Sequence, residues 1–387
     1  VENLSASIQS LWVNLPVEIP FIMYWLQGIL SSPWIIFIWV LLAALLVQLV
    51  YYWFIFSRLA LYNASKRPVS GQKPPVSVVI CAKNEYHNLV RFLPLILEQE
   101  YPEYEVVVVN DASDDDTFYL LRELSDKYSR LNVVNIHQNL NFFVGKKFPL
   151  SIGIRSARYD TVLLTDADCF PAGPHWIESM QSVFTGKTSI VLGYGAYVSQ
   201  PGLLNKLIRF DTLHVAMQYM SLALAGLPYM GVGRNLAYRR ELFFNSGGFM
   251  KHYKITSGDD DLFINEVASG KNTRIQPAPE AVTFSKPKQT FGSWFRQQKR
   301  HLTTGGFYRP SHKIVLGLFS VSQFLFFSLL IALAVLKVDW MLLLGIYFLR
   351  LVSQAVIIKK SMIRLGEKNF LLLFPFFELF LMMINLM

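Results

Sequence analysis

Cysteine is nearly absent: Cys81 and Cys169 are the two thiols among 387 residues. That scarcity excludes a disulfide-stapled secreted scaffold, and in the reducing setting argued below both read as buried or site-lining thiols. Charged residues are also few, 16% against 52% hydrophobic and 14% aromatic, with a mean hydropathy of +0.33. This balance excludes a disordered chain, and the 22 glycines and 18 prolines show no collagen-like period. No tandem repeat or low-complexity tract occurs. A Walker-type G-x-x-x-x-G-K-[ST] is missing, which disfavours nucleoside-triphosphatase chemistry. No Lys or Arg precedes Arg58.

The charge that is present leans positive, with a formal net of +9. Much of it flanks apolar runs and so meets anionic membrane lipids rather than nucleic acid. The length suggests two or three structural units. Within 33–57 lies PWIIFIWVLLAALLVQLVYYWFIF, uncharged and long enough to cross about 30 Å of hydrocarbon. The basic linker after it, 58–73, puts that end inside by the positive-inside rule and leaves the N-terminus outside. A secretory signal is disfavoured by the length of the run and the missing basic n-region. Segment 1–32 then lies on the outer side, and its FIMYWLQGIL is too short to span but suits an interfacial helix. Three further spans are expected at 313–336, 340–358 and 369–387. The connection KKSMIRLGEK sits inside and Lys337–Asp339 forms an outer turn, so one topology satisfies all four. It leaves residues 74–310 as a cytoplasmic domain of an integral membrane protein, expected in a bacterial inner membrane.

In 74–310, short β-branched runs alternate with amphipathic stretches. Strands are expected from Val76, Glu105, Asn132 and Thr161, with helices near Leu89–Glu98, Thr117–Tyr128 and Phe148–Ala157. Continuous apolar strands with helical crossovers imply an α/β fold with a mostly parallel, Rossmann-like sheet covered on both faces. Ligands of such sheets bind at the carboxyl ends of the strands. Three of those ends carry acids: AKNE, NDASDDDT and TDAD. Carboxylates so gathered repel one another unless a cation or hydrogen-bond donors occupy the site. Asp166 and Asp168, one small residue apart, suit hard oxygen ligation of Mg2+ or Mn2+ that also grips a diphosphate. Leu203–Ala225 is a long amphipathic stretch open to two readings, core packing or a helix at the membrane interface.

Taken in order, these residues resemble the inverting family-2 glycosyltransferases of the GT-A fold, in their membrane branch. The strand ending in x-x-N-E is matched by Asn84 and Glu85, and the D-D-x-S-x-D element by Asn110–Asp115. A G-K element is matched by Gly145 and Lys146, and the D-x-D by Asp166 and Asp168. The segment G-x-x-x-N-x-A-x-R-R…G-G-F is matched by Gly231, Asn235, Ala237, Arg239, Arg240, Gly247, Gly248 and Phe249. SGDDDL stands for T-E-D-x-D-L, and QQKRH for Q/R-x-x-R-W.

The resemblance implies a nucleotide-sugar donor, most readily a UDP-sugar, with a lipid or lipid-linked glycan as acceptor. Asp111 would accept from the uracil ring, Glu85 would lie near the ribose, and Lys146 near the nucleotide, with Asn84 on the same side. Asp168, and less directly Asp166, would hold the metal. Gln297 and Arg300, on one helical face, would meet the diphosphate. Aligning Asp261-Leu262 with the family's D-L makes Asp259 the catalytic base, with Asp260 the alternative if the register slips by one. Gly231, Asn235, Gly258 and His301 would lie on the acceptor side. Three departures stand out: His301 replaces the Trp that stacks on the growing polymer of processive synthases, Gly258 replaces a Glu, and Asn110 replaces an Asp. His301 is left as acceptor contact, third metal ligand or plain surface residue. The rival readings are a processive polysaccharide synthase and a non-enzymatic scaffold that senses nucleotide sugars.

Overall fold

The computed structural model describes residues 33–63, 71–137, 145–255 and 257–385, so the expected interfacial helix within 1–32 and part of the 58–73 linker lie outside them. The principal helices, in chain order, are α1 (Ile35–Ala60), α2 (Tyr86–Leu97), α3 (Thr117–Lys127), α4 (Lys147–Ser156), α5 (Leu203–Leu224), α6 (Asp261–Val267), α7 (Phe291–Leu302), α8 (Pro310–Val335), α9 (Trp340–Arg364) and α10 (Phe374–Asn385). The strands are β1 (Val76–Ala82), β2 (Tyr104–Asp111), β3 (Leu131–Ile136), β4 (Thr161–Asp166), β5 (Cys169–Pro171), β6 (Ile190–Gly193), β7 (Gly195–Tyr197), β8 (Leu236–Arg239), β9 (Thr273–Gln276) and β10 (Thr283–Ser285). The chain divides into two compact units.

The larger unit, Tyr51–Gly317 with Ser353–Met387, contains both sheets. Seven strands run in the order β3-β2-β1-β4-β8-β6-β9, parallel except where β8 runs antiparallel to β4 and β6. A small sheet β5-β10-β7 lies apart. The fold is thus α/β with a mostly parallel central sheet, as its apolar strand runs imply. VSVVICA and YEVVVVND are buried almost throughout because helices cover both faces. On one face α4 sits so close that a Cβ at Gly153 would come within 2.6 Å of Val79 Cγ1, so only glycine fits there. In parallel register Cys81 pairs with Asp166, which aligns the ends of β1 and β4 and sets their following loops side by side.

Leu203–Ala225 resolves as α5, whose Leu207, Ile208, Leu213, Met217 and Met220 are buried. Core packing accounts for it. Ser221 Oγ donates to the Phe56 carbonyl at 3.4 Å, and Phe210 packs 5.9 and 5.7 Å from Phe370 and Phe377. Arg209 of α5 donates through Nε to Glu367 Oε2 at 3.0 Å, and Tyr194 OH donates to Glu367 Oε1 at 2.9 Å. These buried contacts tie the segment after α9 to α5 and to the junction between β6 and β7.

Three helices, α1, α8 and α9, are long and apolar enough to cross a membrane. Within the fourth expected span, 369–387, lies the twelve-residue α10, which buries Phe374, Phe377, Leu381 and Ile384 along one face. In the smaller unit, Val1–Val50 with Leu318–Val352, Gln48 Nε2 donates to Ser322 Oγ at 2.6 Å and Arg350 Nη2 donates to Gln48 Oε1 at 3.0 Å. The Arg350 guanidinium also lies 5.0 and 4.8 Å from the ring centroids of Phe326 and Phe327.

Candidate active site

The ends of β1 and β2 are laced together. Asn84 adopts a left-handed conformation (φ 56°), its N–H donates to Ser113 Oγ at 3.0 Å, and its Oδ1 accepts from the Asp114 N–H at 2.8 Å. Asn84 therefore shapes the loop, and its carbonyl oxygen is committed to the fold rather than to a nucleotide. Glu85 Oε2 accepts from Asn88 Nδ2 at 2.6 Å. Burial pushes its pKa up, and so do Asp168 and Asp166, whose charges it feels from across the strand ends. Asp111 closes β2 half-buried, with Lys83 Nζ 3.8 Å from its Oδ2.

At the end of β4, Asp166 is ion-paired with Lys146. Burial works against ionisation there, but the Lys146 charge outweighs it and holds the Asp166 pKa below the usual carboxylate range. Asp168 moves the other way, raised by burial and by Asp166. Asp166 and Asp168 carboxylate oxygens and Cys169 Sγ all lie within 4.8 Å of one another. Burial keeps the Cys169 thiol protonated, and its Sγ lies 3.5 Å from Asp168 Oδ1 as a donor. A neutral soft thiol is no ligand for a hard cation, whereas two carboxylates that leave room for water and phosphate oxygens suit Mg2+ or Mn2+. Among the described residues His301 is not part of this group.

The three acids of SGDDDL have separate surroundings. Asp260 caps α6: its Oδ1 accepts from the Asp261 N–H and its Oδ2 from the Gly233 N–H, both at 2.7 Å. Asp261 Oδ2 accepts from Thr304 Oγ1 at 2.5 Å and from Tyr308 OH at 2.8 Å. Asp259 accepts from its own backbone N–H, and burial, then the Asp260 charge, raises its pKa to about 6. It also feels the charges of Lys146 and Asp166.

On α7, Gln297 Nε2 donates to Tyr197 OH at 3.2 Å and Gln298 donates to Asp211 of α5. The Arg300 charge reaches both Asp166 and His301. His301 is exposed on α7. Surrounding protein mass, then the Arg300 and Arg234 charges, push its pKa down to about 4, so it is neutral near pH 7.

Three of the expected acceptor-side residues, Asn235, Gly231 and Gly258, are buried. Asn235 is 0% exposed, accepting from Trp176 Nε1 at 3.1 Å and donating to the Tyr194 and Ala281 carbonyls at 2.9 and 2.6 Å. Its amide is spent inside the fold. Gly231 is a packing glycine, where a Cβ would stand 3.0 Å from Leu236 Cδ1 and 3.2 Å from Leu192 Cδ2. Gly258 has φ +96°, and a Cβ would fall 2.4 Å from Leu262 Cδ1, so this turn admits no Glu. The residues that motif reading missed are Arg234 and Lys147. They stand beside the motif residues Asn235 and Lys146, and only the fold reveals them.

A family model described as "Glycosyltransferase like family 2" matches residues 74–304. The chain is 29% identical over 238 residues to a probable glycosyltransferase, YdaM, of Bacillus subtilis, covering 59% of this chain and 54% of that protein. It is 32% identical over 127 residues to a poly-beta-1,6-N-acetyl-D-glucosamine synthase of Staphylococcus epidermidis, covering 32% and 29%. The chain thus spans about half the length of the first relative and less than a third of the second. Among solved structures it resembles a mannosyltransferase of Pyrobaculum calidifontis in complex with GDP-Man and Mn2+ (TM-score 0.58, 21% identity, 85% of this chain and 97% of that one), a likeness of fold.

Proposed function

The chain belongs to the glycosyltransferase-like family 2, and on that premise we propose a membrane-embedded inverting transferase. It moves a sugar from a nucleotide-diphospho-sugar, a UDP-sugar by preference, to a lipid or lipid-linked glycan at the cytoplasmic leaflet. The observation that carries this reading is the placing of Asp259: it feels the charges of Lys146 and Asp166, and its carboxylate accepts from its own backbone N–H rather than capping α6 as Asp260 does. Asp166 and Asp168 would hold Mn2+ or Mg2+, whose Lewis acidity screens charge developing on the departing diphosphate.

The remaining roles fall to the chain's own groups. Asp111 and Glu85 orient the base and ribose, while Lys146, Gln297 and Arg300 meet the diphosphate. Asp259 takes the proton from the acceptor hydroxyl, and attack on the face opposite the leaving nucleotide inverts the anomeric centre. A pKa near 6 keeps most of this base ionised at neutral pH. His301 serves as an uncharged acceptor contact. Asn84, Asn235, Gly231 and Gly258 shape the walls without touching substrate. In this reading α1, α8 and α9 span a bacterial inner membrane with the catalytic domain in the cytoplasm, the N-terminus outside, and membrane lipids around the spans.

A processive polysaccharide synthase is the second reading, favoured by the name of the Staphylococcus relative. The imidazole of His301, in place of an indole that stacks on a polymer end, favours single transfer. A sensing scaffold would bind donor without turnover. The test is release of nucleoside diphosphate from a panel of nucleotide sugars by purified protein in detergent with Mn2+. Turnover that Asp259→Asn abolishes supports the transferase, and donor binding without any turnover overturns it.

A further inference from the structure

Arg234 stands in the turn before β8. Its carbonyl accepts from Thr165 Oγ1 at 3.0 Å and from Thr283 Oγ1 at 2.9 Å, which pins the residue between β4 and β10. Its guanidinium lies 4.3 Å from the ring centroid of Tyr197, and Nη1 donates to Ser285 Oγ at 2.9 Å. Gly195 makes room for this side chain. A Cβ there would stand 3.1 Å from Arg234 Cβ and 3.3 Å from its Nε. Tyr197 accepts in turn from Gln297, so the stack is braced from α7. Among the described residues Ser285 is the one hydrogen-bond partner of the guanidinium, leaving most of its five N–H donors uncommitted.

Charge at the site argues for a ligand. Lys146 is already paired with Asp166. The Arg234 charge is felt by both Asp166 and Asp168, and the neighbouring Gly233 N–H caps Asp260. Arg234 thus lies between the D-x-D that would grip the diphosphate and the acids that include the proposed base. A guanidinium held by a ring and a hydroxyl loses little freedom on binding, and its planar fork matches phosphate oxygens bidentately. We propose that Arg234 is a binding residue for the sugar-side phosphate of the nucleotide-sugar diphosphate. This inference rests on the nucleotide-sugar reading above.

The test is calorimetric binding of UDP, UMP, GDP and GMP to the purified full chain in detergent with Mn2+. Arg234→Lys and Arg234→Gln should weaken whichever nucleoside diphosphate the wild type binds by roughly ten- to a hundredfold, the scale of a charge-assisted hydrogen bond. The matching monophosphate should change by less than about threefold, since it lacks the phosphate in question. Gly195→Ala, which crowds the guanidinium without deleting it, should shift the same ratio in the same direction by less. It and Arg234→Lys decide the matter if Arg234→Gln does not fold. Equal losses for di- and monophosphate, or no loss at all, would overturn the inference and leave Arg234 as a structural counter-charge. A wild type that binds no nucleotide at all would instead remove the functional reading beneath it.

Discussion

Lys147 Nζ donates to the carbonyl oxygen of Ser257 at 2.6 Å. The same ammonium reaches the carbonyls of His252 and Ile255 at 2.8 and 2.6 Å, although the residue is only 1% exposed. Burial lowers its pKa, while Asp259, Asp261 and Asp260 favour the charged form. The start of α4, next to the donor-side Lys146, therefore clasps the segment that leads into Gly258 and Asp259.

Lys147→Met removes the clasp and strands three carbonyls. At about 1–3 kcal/mol for each buried group left unsatisfied, thermal unfolding in detergent should show a loss of several kcal/mol. Turnover of surviving protein should fall more than donor affinity, because the base and not the nucleotide pocket is displaced. A loss below about 1 kcal/mol would contradict the clasp.

Asp259→Asn should bind donor normally and lose transfer by at least a hundredfold, the scale of general-base catalysis, about 10²–10⁴. Asp260→Asn keeps one carbonyl oxygen for the Gly233 and Asp261 N–H groups and should mainly destabilise the α6 cap, by about 1 kcal/mol. Were Asp260→Asn the dead variant and Asp259→Asn active, the register of the acids would be off by one.

The pKa of Asp259, raised to about 6, predicts opposite pH trends for activity and stability. The base works ionised, so kcat should rise as pH climbs through about 6 and then level off. Because the folded value exceeds the ordinary 3.8, the folded state holds a proton that the unfolded chain gives up. The contribution of this group to stability accordingly falls as pH rises between those two values. Parallel kcat and Tm profiles check both signs, and a kcat independent of pH over about 5 to 8 would contradict the assignment.

The acid-tipped strands were readable because β-branched runs announce buried parallel strands, and carboxylates at their ends stand out against apolar neighbours. Asp166 and Asp168 could be picked out on that basis, whereas the Asp259–Asp261 cluster was legible only through the family resemblance. The burial of Asn235 and Gly231 could not be read, since a motif records that a residue type recurs but not whether it packs or binds. Arg234 escaped notice because its stack needs Gly195 and Tyr197 of β7, a strand of three residues with no signal of its own. The stretch 369–387 is apolar enough to read as a span, and its composition does not show which face of α10 is buried.

Asp168→Asn is nearly isosteric and should leave the fold intact while abolishing divalent-dependent transfer. Chelation of the wild type should reproduce that loss, and Mn2+ or Mg2+ should restore it. Cys169→Ser should retain metal-dependent activity, because a buried protonated thiol supplies no ligand. Asp168→Asn that keeps more than about a tenth of wild-type activity would remove Asp168 from the metal site.

The most direct measurement is mass spectrometry of the lipid fraction after purified protein is incubated with a panel of nucleotide sugars, Mn2+ and total membrane lipid. The account predicts one nucleotide sugar consumed and a lipid or lipid-linked glycan heavier by a single sugar, with no longer product from His301→Trp. A ladder of polymer from the wild type, or donor consumption with no modified lipid, would contradict it.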